Sequence, residues 1–214
     1  MIHIVNRNNR DFYADAVRAG FRLRKSIFID RLKWPLQPDG EEERDQFDRA
    51  DTTYLLKIDP ATGQLQCMSR LLPTLGPTLM SEVFPHYCDD GVPVGPTIWE
   101  ISRFCIAANV DKAVRSRCVG EMVLAYVEYG LLFGVEHFIF LAAPALLTHL
   151  IALGYDPEPL GLPKGEGTAR SVALISQVRR GFLTRLRGKL ELDHPVTQYI
   201  GDPRIFTPQV TLAA

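Results

Sequence analysis

Ile98-Trp99-Glu100-Ile101-Ser102-Arg103-Phe104-Cys105-Ile106 reads as a buried strand that runs on to Ala107. The segments on its C-terminal side decide the fold. A long helix is expected from about Lys112 to Phe133, then a strand from Glu136 to Ala142. Pro144 stands at a helix start and Gly154 at its end, before a strand from Thr168 to Gln177 and a basic helix from Val178 to Leu190. This β-α-β-α-β alternation implies an α/β (α+β) fold, a mixed central sheet flanked by helices.

Towards the N-terminus the pattern changes. Phe12, Ala16, Ala19 and Leu23 mark an apolar stripe, so a first helix is expected from about Asn9 to Phe28, with Arg24 and Phe28 four apart on one face. From Asp30 to Asp51 periodicity is lost among Pro, Gly and acids, a length of irregular chain that is uncommon in a compact domain unless it binds something. A hairpin comes next: Thr53 to Ile58, a turn at Asp59-Pro60-Ala61-Thr62-Gly63, then Leu65 to Leu72. Pro73 to Pro96 is rich in Pro and Gly, with a short apolar insert at Val83-Phe84.

The chain has 214 residues, 46% of them hydrophobic, enough for one well-buried core. Its net charge of −1 gives no global argument for nucleic acid or an anionic membrane. The charge is uneven, however: seven acids between Asp39 and Asp51 oppose Arg44 and Arg49, and seven bases between Lys164 and Lys189 oppose Glu166 alone. Cys67, Cys88, Cys105 and Cys118 form no C-x-x-C pair and suit buried, reduced thiols in a cytoplasmic protein. No apolar run approaches the length of a membrane span, and Met1 to Val5 lacks the form of a signal peptide. The five histidines lack metal-ligand spacing, so no metal is expected, and no nucleophile elbow, dinucleotide fingerprint or P-loop is present.

Charge inside apolar strands is costly unless paired. Arg70 lies within Gln66 to Leu72, and Glu100 and Arg103 lie within Ile98 to Ile106. Taken singly, each reads as an edge position or an ion pair that ties down the acidic loop. Three together, beside that loop, favour a functional cluster with Arg24, Glu43, Asp45 and Asp48. A regular strand would send Glu100 and Arg103, three positions apart, to opposite faces. Either they do separate jobs or a β-bulge near Ser102 re-aims one of them; a bulge is the expectation here.

Arg24-x-x-x-Phe28, Trp34, Glu43-x-Asp45-x-x-Asp48, Arg70, Phe84 and Trp99-Glu100-Ile101-Ser102-Arg103-Phe104 resemble the motif of LuxI-type autoinducer synthases, the acyl-homoserine lactone synthases. The match is dense in the first half and continues in layout to about Ser176. The resemblance implies a fold similar to GCN5-related N-acetyltransferases, as one domain over 1–214. Residues 1–72 would form the S-adenosylmethionine side and 98–190 the acyl and pantetheine side.

It also implies a reaction. The amine of S-adenosylmethionine attacks an acyl thioester, and the methionine carboxylate then displaces methylthioadenosine to close the lactone. An ammonium cannot attack, so a base is needed, and Glu100 is the candidate. Backbone N–H groups at the bulge would hold the oxyanion. Arg24, Asp45, Asp48, Arg70 and Arg103 would form the network that holds the loop over the substrate. Phe28, Trp34, Phe84, Ser102 and Phe104 would contact S-adenosylmethionine, whose sulfonium is attracted to aromatic faces. The segment Arg115 to Gly120 would meet the pantetheine arm, and Ala142 and Ala143 would line the acyl pocket.

Family members that favour 3-oxo chains resemble one another in a Thr on the strand where this chain has those alanines, Thr148 being displaced onto the helix. That tilts the expected acyl group towards an unsubstituted, branched or aromatic one. No cofactor is expected to be bound permanently; S-adenosylmethionine and acyl-carrier protein or acyl-CoA would be substrates. The basic helix suits an acidic carrier protein or the phosphates of CoA. A monomer or weak dimer is expected. Two other readings stand beside this one: an N-acetyltransferase that uses acetyl-CoA on another amine, and a non-catalytic binding module. Release of methylthioadenosine separates them.

Overall fold

The computed structural model describes residues 1–167 and 170–201. Its described strands are β1 (Ile2–Val5), β2 (Thr53–Ile58), β3 (Leu65–Pro73), β4 (Ile98–Ile106), β5 (His137–Ala142), β6 (Glu158–Pro159), β7 (Val172–Gln177) and β8 (Thr197–Gln198). They form one sheet in the order β6-β7-β5-β4-β3-β2-β1-β8. Neighbours are antiparallel except β4 with β5 and β1 with β8. The helices are α1 (Ala14–Arg24), α2 (Leu79–Glu82), α3 (Lys112–Phe133), α4 (Pro144–Ala152) and α5 (Arg180–Leu190).

Side-chain alternation splits the sheet into two faces. Leu71, Ile101, Phe138, Phe140 and Leu174 pack with α3 residues such as Met122, Tyr126 and Tyr129. On the other face Tyr54, Leu56 and Met68 pack with Val17 and Phe21 of α1. The α3 helix starts where Asp111 accepts the Val114 N–H at 2.8 Å and ends at Gly134 with φ +72°, the left-handed conformation that glycine takes without a Cβ penalty. It is buried on every side from Gly120 to Gly130, because the sheet lies beneath it and α5 above, and is exposed in its last turn.

Several expected boundaries move. The first helix begins at Ala14 rather than Asn9, because Asn9 is spent on tethering: its amide donates to the Ile4 and Ile200 carbonyls, and its Oδ1 accepts the Asn6 N–H. Phe12, read as part of the apolar stripe, is exposed. Past Arg24 the helix widens to a π-helical stretch, Lys25–Arg31, with the Leu32 N–H reaching the Ile27 carbonyl five residues back. The strand expected from Thr168 begins at Val172, and Thr168 and Ala169 lie outside the described residues. The basic helix begins at Arg180 rather than Val178. All four cysteines are buried free thiols. Among the described residues, no helix is long and apolar enough to cross a membrane.

Candidate active site

Arg24 ends α1, Arg70 stands on β3 and Arg103 on β4, all facing the loop from Leu32 to Asp51. Arg24 and Arg70 are fully buried, so each must be paired to be tolerated. The loop supplies three carboxylates. Arg24 grips Asp48 through two bonds at 2.7 and 3.0 Å and donates to Glu43 at 2.5 Å. Arg70 grips Asp45 through bonds at 2.5 and 3.1 Å and lies 3.1 Å from Asp48. Arg103 donates to Glu43 at 3.1 and 3.2 Å and to Asp45 at 2.8 Å. Three cations and three anions thus form a charge-balanced lattice of fork-shaped pairs, the strong form of such bonds.

Burial acts to raise the Asp48 and Glu43 carboxyls, and the guanidiniums beside them overcome it. Arg24 and Arg70 hold Asp48, and Arg24 and Arg103 hold Glu43, below the usual carboxylate range. Glu43 stands out in the sequence as a charge, yet its role is not legible there. It bridges Arg24 to Arg103 and so ties α1 to β4. Phe47, buried under the Arg70 guanidinium, is a second anchor of the loop that the sequence does not reveal.

The expected bulge is present, one residue beyond Ser102. Arg70 pairs with Ser102 and Met68 with Cys105, so Ser69 alone faces Arg103 and Phe104. Arg103 has φ +53°, a conformation that costs a non-glycine residue on the order of 1–3 kcal/mol. This extra residue brings Arg103 to the same face as Arg70, Ser102 and Glu100. Ser102 accepts a bond from Arg70 Nε at 3.0 Å through its hydroxyl.

Glu100 is 3% exposed and is not an ion-pair partner of the lattice. Its Oε2 accepts the Met80 N–H at 2.8 Å, and Thr78, the N-cap of α2, bonds it as well. Burial pushes its carboxyl up, against the pull of these bonds and of Arg70 and Arg103. Glu100 therefore holds a proton more tightly than an ordinary carboxyl does. It also occupies a topological edge. β4 and β5 pair only at Ile98, Trp99 and Glu100, although both strands continue, so a notch opens between them just past this residue. The carboxyl end of parallel strands is where open α/β sheets receive ligands.

The aromatic residues divide. Phe28 is buried, with Trp34 stacked on it at 4.7 Å between centroids and the Arg103 guanidinium 5.6 Å from its ring. Trp34 is 44% exposed. The two rings form a ledge beside the lattice. Phe84 packs against Tyr87 and the cluster over β5, and half-buried Phe104 packs on the α3 side.

The residues expected at the pantetheine arm and the acyl chain fall in different surroundings. Gly120 lies in the third turn of α3, where an added Cβ would come 2.5 Å from Leu190 of α5, so it serves helix packing. Arg115 donates to the Ala107 carbonyl, at the link from β4 to α3. Ala142 is buried on the α3 face, but Ala143 is exposed as the residue before α4 and leaves the buried wall to Ala142 alone. Thr148 is exposed and bonds the Pro144 carbonyl. The basic helix is partly engaged: Lys189 and Arg185 bond the Ala152 and Gly154 carbonyls at the end of α4, and Arg187 pairs with Glu128 at 2.9 Å.

Comparison with known proteins agrees with this geometry. A family model described as autoinducer synthase matches residues 8–181. The isovaleryl-homoserine lactone synthase of Bradyrhizobium diazoefficiens is 33% identical over 205 residues, covering 92% of this chain and 89% of its own. The structure of the CoA-dependent acyl-homoserine lactone synthase BjaI with SAM and isopentyl-CoA superposes with a TM-score of 0.85 at 31% identity, covering 94% of both chains. An acyl-CoA N-acyltransferase from Pseudomonas aeruginosa shares the fold alone, with a TM-score of 0.57 at 17% identity and coverage of 82% of this chain and 98% of its own.

Proposed function

Because the chain belongs to the autoinducer synthase family, we propose that Glu100 and the adjoining bulge carry out acyl transfer in acyl-homoserine lactone synthesis, a quorum-sensing signal pathway. The substrates are S-adenosylmethionine and an acyl thioester. Glu100 takes a proton from the S-adenosylmethionine ammonium, directly or through one water. The freed amine attacks the thioester carbon, the oxyanion is met by backbone N–H groups of the bulge, and the thiol leaves. The methionine carboxylate then attacks its own γ-carbon and expels methylthioadenosine. The sulfonium is already a good leaving group, so this second step asks mainly for positioning.

The observation that carries this reading is the placement of Glu100. A buried carboxyl with raised proton affinity stands at the last rung between β4 and β5, beside a bulge and on the face of the arginine lattice. The lattice holds the loop, and Phe28 and Trp34 offer aromatic faces to the sulfonium. The whole chain acts as one domain, in the cytoplasm.

Acyl-CoA is the donor this reading favours over a carrier protein. BjaI, its well-matched structural relative, is CoA-dependent, and three cations of α5 are already engaged inside the molecule. The acyl group is unsubstituted, branched or aromatic rather than 3-oxo. Tyr126 and Tyr155 on the α3 side already pair their hydroxyls with Ser69 and Ser176, and Ala142 brings no hydroxyl to meet a 3-oxo oxygen. The test is expression in a host that makes no such signal, with mass spectrometry of extracts and assay of methylthioadenosine release by the purified protein. Mainly 3-oxo products would overturn the acyl assignment, and an acylated amine without methylthioadenosine would mark an ordinary N-acyltransferase.

A further inference from the structure

Ser69 occupies an unusual position. It is fully buried on β3, opposite the two bulged residues Arg103 and Phe104. Its side chain lies on the α3 face, between those of Cys67 and Leu71. There its hydroxyl donates to the Ser102 carbonyl at 3.3 Å and accepts from the Tyr126 hydroxyl of α3 at 2.8 Å. From the opposite face Arg70 Nε donates to the Ser102 hydroxyl at 3.0 Å. The residue that begins the bulge is thus gripped twice, at its carbonyl from α3 and at its hydroxyl from the lattice.

We infer that Tyr126 and Ser69 are positioning residues for acyl transfer: a two-hydroxyl strut that reaches from α3 to the sheet and fixes the Ser102–Arg103 peptide in the bulged conformation. The inference rests on the reading that the bulge receives the reacting carbonyl. Its physical basis is the conformation of Arg103. A left-handed arginine persists only where the surroundings over-determine it. The lattice fixes the Arg103 side chain, but a side chain rotates about its own bonds and does not by itself set the peptide plane. The bond to the Ser102 carbonyl acts on that plane. A buried tyrosine hydroxyl without a partner would be costly, which keeps the relay closed. Burial also pushes the Tyr126 hydroxyl far up, so it remains a protonated donor at any working pH. Neither hydroxyl touches substrate. Each acts through the bulge.

The experiment uses the full chain with Tyr126→Phe, Ser69→Ala and the double variant. Thermal melting verifies that each is folded, and the phenylalanine variant removes one atom without changing the ring. The expected result is a fall in kcat of about tenfold, the worth of one well-placed hydrogen bond. KM for S-adenosylmethionine should stay within about twofold, because the aromatic ledge and the lattice are untouched. The double variant should lose no more than the worse single one, since either change opens the same strut. Hydrogen exchange at the amides of residues 102–104 should quicken in all three. A folded Tyr126→Phe protein with wild-type kcat and unchanged exchange would overturn the strut. So would losses that multiply in the double variant. Wild-type protein that releases no methylthioadenosine would instead overturn the parent reading, and this one with it.

Discussion

At the scale of single residues, Glu100 and the arginines do different work because their surroundings differ. Glu100 is buried without a lattice partner, so its proton affinity rises. Glu100→Gln keeps the shape and the Met80 N–H bond but removes the proposed base. Turnover should fall by roughly 10²–10⁴-fold with little change in S-adenosylmethionine affinity, measured by methylthioadenosine release and calorimetry. Normal turnover would remove Glu100 from the mechanism. In the wild type kcat/KM should climb with pH as Glu100 ionises, along a limb displaced above the ordinary carboxylate range, and the glutamine variant should lack that limb. Arg70→Ala is another kind of change. It takes from Asp45 its two-bond partner, leaving Arg103 as the one lattice arginine hydrogen-bonded to it, and leaves three carboxylates facing two cations in a largely buried site. That is a loss of about 3–5 kcal/mol, which should show as poor solubility and a low melting temperature. A stable, active Arg70→Ala protein would mean the lattice is dispensable. Most of this site was legible in the sequence because charge inside an apolar strand is rare enough to be noticed. The Glu100–Arg103 spacing also pointed to the bulge. Thr78 and Met80 were not legible, since a backbone N–H at a one-turn helix leaves no mark on residue type.

At the scale of elements, the long periodic segments were readable and the short ones were not. The α3 boundaries stand where the sequence placed them, and β2 to β5 begin or end within a residue or two of expectation. β1, β6 and β8 have too few residues to show alternation, and they exist because neighbours offer them an edge. Glu128 shows how: buried in the middle of α3, it accepts the Val196 and Thr197 N–H groups and so docks β8 beside β1. The packing of Gly120 on α5 was not legible for a related reason. A glycine in a helix looks the same whether it meets a ligand or another helix, and only the position of Leu190 decides. Gly120→Ala brings a Cβ against the mobile end of Leu190 but gains about 1 kcal/mol of helix propensity, so stability should change little. Gly120→Leu has no such room and should cost about 1–3 kcal/mol by pushing α5 off α3. Urea melts of both variants measure this. Equal stability of the leucine variant would mean that α5 does not pack closely on α3 at this turn.

At the scale of the whole molecule, the charged groups give stability two opposing dependences on pH. Glu43 and Asp48 have folded-state pKa values below those of the unfolded chain. Their contribution is complete above roughly pH 4, the ordinary carboxylate value, and is lost as pH falls towards the depressed folded values. Acid should therefore unfold the protein by dissolving the lattice and releasing the loop. Glu100 has the opposite sign, its folded value lying above the unfolded one. It favours the fold fully below about pH 4, and that contribution is lost as pH rises through its raised value. Above that raised value the ionised Glu100 weakens the fold; the proposed mechanism uses this ionised form, a trade of stability for function. Glu100→Gln separates the two effects, because a neutral amide cannot titrate. Its stability relative to wild type should be level below about pH 4, improve as pH rises through the window between the two values, and level off above it. Chemical melts at a series of pH values would trace this difference. A difference that stays flat across the series would show that Glu100 titrates alike in the folded and unfolded chain, and burial could then no longer be what fits it to act as a base.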